Sequence, residues 1–272
     1  MTRRALPVLF LLAVAAAPVP AAAPESVQVP AADDWCRNER WDNDRQGVCE
    51  VRQYTVPSVG TLTVDAEPNG GIQVEGGARG DVLVLARVVA HAETQPRAKQ
   101  IADAVQISAR ADNVSAAGPS GLGRREGWSV SYRLSVPSIS SLSLKTTNGG
   151  IAIRDVDGEI AFKTVNGGVK LTNLAGDVKG RTSNGGVDID LDGAGWRGQG
   201  LDVETSNGGV HLRIPEQYSA RLETGTVNGG FNIDFPVTVQ GRIDRQINAN
   251  LGAGGPLIRV QTHNGGVKIS KK

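Results

Sequence analysis

Asp188-Ile189-Asp190-Leu191-Asp192-Gly193 is the stretch of this chain whose residue types and spacing come nearest to chemistry. Carboxylates at alternate positions followed by glycine open a calcium loop, in which oxygen ligands converge on a hard cation. Such a loop takes glutamate at its twelfth place, where Gln199 stands. A strand period explains the same run: with Val187, Ile189 and Leu191 turned inward, the three aspartates point out. Asp188, Asp190 and Asp192 are thus a weak calcium candidate, and the sequence assigns no metal and no cofactor. His91, His211 and His263 sit in no metal-ligand spacing. No Gly-x-Ser-x-Gly elbow and no phosphate-binding glycine loop is present. The glycine-rich motifs end strands and open no helix, so they lack the N-terminus that binds phosphate. The reading is a protein without catalytic residues.

Two further groups bear on function. Cys36 and Cys49 lie in a polar segment with no histidine nearby and no Cys-x-x-Cys spacing, so in an exported chain they read as a disulfide. Trp196 and Arg197 lie in Gly193 to Gly200, the longest interruption of the repeat described next. Tryptophan beside arginine is typical of interface anchors, which makes this bump the interface candidate. A loop that accommodates extra residues is the plainer account of it.

These residues are positioned by six copies of Thr-x-Asn-Gly-Gly plus an apolar residue. The copies pair Thr146 with Asn148, Thr164 with Asn166, Thr182 with Asn184, Thr205 with Asn207, Thr226 with Asn228, and Thr262 with Asn264. The Asn-to-Asn spacings are 18, 18, 23, 21 and 36, the last twice 18, and a seventh Asn-Gly-Gly at Asn69 stands apart. A period of this size marks a stacked repeat architecture. Apolar residues alternate on both sides of the turn, as in Leu142 and Leu144 before it and Ile151 and Ile153 after it, which predicts two half-buried strands per repeat. Asn-Gly supplies the turn, and the second glycine is expected to remove a side chain where rungs crowd. An antiparallel meander also uses Asn-Gly. A solenoid rewards identical residues in every repeat, because Thr then stacks on Thr and Asn on Asn. The expected fold is all-β: a parallel β-solenoid or β-helix with rungs of about 18–23 residues, preceded by a β-rich capping region with one short helix.

The chain has 272 residues, a net charge of +1 and 4% aromatics, which points away from nucleic acid and from an extended stacking platform for sugars. Arg3 and Arg4 followed by the apolar run Leu6 to Ala17 read as a secretion signal over 1–23, too short for a spanning helix. The mature chain is expected without a transmembrane segment, in the periplasm or outside the cell. A Cys-bounded segment follows over 24–50, then the capping region over 51–140 and the repeats over 141–272. Within the capping region, Leu62–Val64, Val82–Ala86 and Trp128–Val136 read as strands, Thr94–Val105 as a helix capped by Thr94, and Asn113–Gly127 as a loop. Lys268-Ile269-Ser270-Lys271-Lys272 reads as an edge strand whose lysines guard against pairing, or as an edge on which a partner docks.

Cys49-Glu50-Val51-Arg52, Asn69-Gly70-Gly71-Ile72, Trp128-Ser129-Val130-Ser131-Tyr132 and the six repeats together resemble the bacterial putative-adhesin family of β-strand-repeat proteins, a domain of unknown function. The resemblance covers about residues 49–272 and is most specific over the repeats. It implies a β-helical, exported, envelope-associated protein and supplies no catalytic residues. The expected function is a non-enzymatic, adhesin-like binding or scaffolding module at the cell envelope, a monomer whose partner is an envelope protein or a surface glycan. The alternatives are a carbohydrate-active enzyme on a β-helix and a periplasmic accessory or sensor that docks on a membrane regulatory protein.

Overall fold

A computed structural model describes residues 27–28, 34–37, 39, 41, 45–234 and 245–272. The secretion-signal segment, 1–23, lies outside the described residues. Two short helices and two large sheets make up the described chain. No helix among the described residues is long and apolar enough to cross a membrane.

Each Asn-Gly-Gly turn passes the chain from one sheet to the other. Ser141–Lys145, Asp157–Asn166, Ala175–Asn184 and Gly200–Asn207 lie side by side in the ten-stranded sheet. Their continuations Ile151–Arg154, Val169–Thr172, Val187–Asp190 and Val210–Ile214 lie side by side in the eleven-stranded sheet. All of these neighbours are parallel, and each Asn is registered on the Asn of the next copy. The alternating apolar residues face one core between the sheets, with Ile151, Ile153, Leu142 and Leu144 buried. Where the alternation lapses at Gly180, the reason is steric: a Cβ there would fall 2.1 Å from the Phe162 ring.

Asn69 does not stand apart. Thr61–Asp65 and Ile72–Gly77 pair parallel with Ser141–Lys145 and Ile151–Arg154, so the Asn69 copy is the first layer of the stack. The sheets are mixed and not uniformly parallel. Gln46–Pro57, Asp81–Ala92 and Gly127–Pro137 form an antiparallel end to the eleven-stranded sheet, with the helix Gln95–Ala104 packing Ala98, Ile101 and Ala102 on Ala90 and Ala92. Thr94 stands at the helix N-cap, but its side chain makes no capping bond. Asn113–Ala117, expected as loop, is a strand paired with Thr61–Asp65 and Gln106–Ala109.

The far end departs most from expectation. The last copy in sequence, Leu257–Asn264 with Val267–Lys271, lies between the Asn207 copy and the Asn228 copy in both sheets. Lys268–Lys271 is therefore interior and not an edge. The outermost strands here are Phe231–Ile233 and the antiparallel Gln246–Leu251. For the same reason Arg213 has Asp190 on one side and Ser270 on the other.

Candidate functional site

The turn residues shape the surface beside them. Seven Asn side chains form one ladder: Nδ2 of Asn148 donates to Oδ1 of Asn69 at 2.8 Å, and Asn166, Asn184, Asn207, Asn264 and Asn228 follow in that order at 2.7–2.9 Å. The threonines do not bond to one another. Thr146, Thr164, Thr182, Thr205, Thr262 and Thr226 each donate Oγ1 to the carbonyl of the first glycine in the neighbouring copy, at 2.7–2.9 Å. Thr is buried and Asn exposed because the hydroxyl satisfies a carbonyl that the tight turn leaves without a backbone donor.

The outer face of the eleven-stranded sheet carries the chemistry. One row of outward side chains runs Arg133, Gln73, Ala152, Lys170, Asp188, His211 and Lys268 on successive strands. Ala152 is the short member, and around it the face hollows into two adjoining grooves of about 490 and 480 Å³. Both are lined by Gln73, Ala152 and Lys170, with Asp188 at one side and Glu75 and Arg154 at the other. Trp35 lines the groove, its ring 3.9 Å from the Arg133 guanidinium and 5.4 Å from that of Arg87. The segment just after it is tied down twice, by the Cys36–Cys49 disulfide and by the Arg87–Glu39 ion pair at 2.7 Å.

Charge in the groove is unevenly matched. Glu75 pairs with Arg154, and Asp188 faces His211 and Arg213 at 3.4 and 3.5 Å. Arg133 donates to the neutral Gln73 amide at 3.1 Å, and among the described residues neither Arg133 nor Lys170 has a carboxylate at ion-pair distance. The groove thus keeps positive charge that its own carboxylates do not neutralise.

The three aspartates of the calcium candidate are held by cations. Asp190 takes a two-pronged bond from Arg213, and Asp192 pairs with Lys272 at 3.3 Å. The bond from Arg213 holds the Asp190 carboxyl below the usual aspartate range. No cluster of three His, Cys, Asp or Glu among the described residues is arranged to hold a metal. Trp196 is also placed otherwise than an interface anchor requires. It is 6% exposed, and its indole N–H donates to the Gly176 carbonyl at 3.1 Å, so it fills the core beneath the bump while Arg197 is exposed.

One constellation has the atoms of a nucleophilic triad. His211 Nε2 lies 3.0 Å from Ser270 Oγ, and its Nδ1 lies 3.4 Å from Asp188. Arg213 Nη1 is closer to Nδ1, at 3.0 Å, and arginine only donates. It therefore fixes the imidazole with its lone pair on Nδ1 and its proton on Nε2, the reverse of a serine-activating base. Displaced carboxyl pKa values among the described residues, at Glu67, Glu126, Asp190 and Glu216, are all displaced downward by cation partners. A glycosidase acid requires the opposite displacement.

Sequence reasoning did not single out Trp35, Gln73, Arg133, Ala152 or Lys170 as a group. The strand period turns Ala152 and Lys170 outward, which is a legible signal. Nothing in the sequence brings Trp35 and Arg133 together.

Solved structures similar to this chain include a "putative cell adhesion protein" from Clostridium sporogenes, at 11% identity and TM-score 0.42, covering 84% of this chain and 100% of that one. They also include a "putative adhesin" from Bacteroides fragilis, at 12% identity and TM-score 0.40, covering 83% and 97%, and a "putative lipid binding protein" from Parabacteroides distasonis, at 11% and 0.29, covering 82% and 96%. A comparison with curated proteins finds no match. The family model described as Toastrack DUF4097 matches residues 62–270, and the chain belongs to that family.

Proposed function

We propose that the protein is an exported, non-enzymatic binding module of the cell envelope, adhesin-like in the sense that it holds a ligand and does not transform it. The groove carries this reading: a fixed polar surface on a sheet, walled by a disulfide-held tryptophan and bearing unmatched cations. Rigid strands hold side chains at fixed intervals of about 4.8 Å, which suits recognition. The disulfide supports an oxidising compartment. With the fold goes the finer reading of a parallel β-solenoid with rungs of about 18–23 residues over 141–272, a capping region over 51–140 from which the Asn69 copy adds one layer to the stack, a Cys-bounded segment over 24–50, a signal over 1–23, and a monomeric mature chain.

The test is cross-linked capture of envelope components by the mature chain, comparing wild type with Lys170→Glu. Wild type is expected to retain a defined component that the variant loses at unchanged melting temperature. Identical retention by both would remove the groove as the binding face.

A further inference from the structure

We infer that the groove binds a carboxylate-bearing polysaccharide, a polyuronate, laid along a bare row formed by the second glycines of the repeats. The inference rests on the groove being the binding face.

The two glycines of each turn are not equivalent. The first is required by packing: a Cβ would lie 2.1 Å from a backbone oxygen at Gly149, 2.0 Å at Gly167 and 2.1 Å at Gly185. The second, expected from the sequence to relieve crowding, mostly does not. At Gly71, Gly168 and Gly186 a Cβ would meet its nearest oxygen at 3.4, 3.5 and 3.4 Å, ordinary contact, and only Gly150 at 3.1 Å is tight. None of the four has a left-handed backbone that favours glycine. Yet all four line the groove. What glycine keeps there is open peptide surface.

That surface offers unused donors, whereas its carbonyls are each already engaged. The Gly71 N–H is taken by the Ser131 hydroxyl at 3.1 Å, from the strand that precedes it in the sheet. In the following layers the residue at the place of Ser131 is itself glycine, and the N–H groups of Gly150, Gly168 and Gly186 donate to no protein atom among the described residues. The carbonyls of these glycines are already used, accepting from the amides of Ile72, Ile151 and Val169 at 2.9–3.0 Å. An extended peptide needs donors and acceptors in alternation and would leave its own N–H groups unmatched here. A chain of carboxylates and hydroxyls supplies the acceptors, and Arg133 and Lys170 beside the row supply the countercharge. The serine at the first layer already shows the oxygen that each amide takes.

The test measures binding of three probes to the folded chain: an oligogalacturonate, poly-L-glutamate of similar charge, and a neutral dextran oligomer. Three chains are compared: wild type, Gly168→Ala in the groove, and Gly209→Ala. Gly209 has the same contact, 3.5 Å to an oxygen, but lies outside the groove lining. The expected result is oligogalacturonate binding by wild type and Gly209→Ala, weakened at least about tenfold in Gly168→Ala, with equal melting temperatures for all three. Equal binding of poly-L-glutamate or dextran overturns the polyuronate assignment, as does no binding of any probe. Undiminished binding by Gly168→Ala overturns the glycine row. Envelope capture separates this inference from the broader reading: if capture still depends on Gly168 while oligogalacturonate fails, the groove stands and the polyuronate falls. If capture is indifferent to both Gly168→Ala and Lys170→Glu, both fall.

Discussion

Asn264 donates its side-chain amide to Asn207 at 2.7 Å, although Asn228 stands between them in sequence and Asn228 in turn donates to Asn264 at 2.7 Å. The chain makes its outermost layer first and then returns to fill the place it left. The last strands made are therefore held on both sides in both sheets.

Truncation tests this directly. A chain ending at Pro256 leaves Gly200–Asn207 and Ala220–Asn228 without their shared neighbour, and likewise Val210–Ile214 and Phe231–Ile233. Open edges on this scale invite aggregation. The expected outcome is loss of a cooperative melting transition by circular dichroism, whereas Lys272→Ala should leave it in place.

The Asn ladder should be weaker at its end than in its middle. Asn184 donates to Asn166 at 2.8 Å and accepts from Asn207 at 2.9 Å, while Asn228 donates to Asn264 only. At about 0.5–1.5 kcal/mol per bond, Asn184→Ala is expected to cost about 1–3 kcal/mol and Asn228→Ala about half that. Denaturant midpoints at constant slope measure both.

Asp190 gives the fold an acid-sensitive contribution. Its carboxyl is held below the ordinary aspartate range, chiefly by the Arg213 hydrogen bond. A lowered folded-state pKa stabilises above the unfolded value, and the contribution is lost as pH falls through the folded one. Asp190→Asn should be less stable than wild type at pH 7, and the two should converge as the pH drops below the usual aspartate range. A constant difference across that window would assign the loss to packing instead.

Tyr132 is fully buried, and its hydroxyl has no hydrogen-bond partner among the described residues. Burial pushes its pKa up, so the group stays protonated through mild alkali. An unmatched buried hydroxyl is costly, and Tyr132→Phe is expected to raise stability by about 1 kcal/mol. A clear fall in the denaturation midpoint would mean that the hydroxyl is satisfied in solution.

How much of this was legible follows from which forces are local. The period of Thr-x-Asn-Gly-Gly and the alternation at Ile151 and Ile153 are set by backbone geometry a few residues at a time, so the sequence alone determined the turns, the all-β class, the inward and outward faces and the family. The disulfide was legible because Cys36 and Cys49 had no other partners. Layer order was not legible. The 36-residue step to Asn264 reads as two rungs in sequence, but the strand Gln246–Leu251 and the return to the vacated layer occupy it instead. The Asn69 copy looked separate because more than seventy residues, among them two long antiparallel strands and a helix, intervene before the copy at Asn148 that it stacks upon. The groove is of the same kind: Trp35, Arg133 and Lys170 share one face because a disulfide brings the first there and parallel strand pairings bring the other two. Local pattern fixes which way a side chain points, and only the assembled sheets decide which side chains become neighbours.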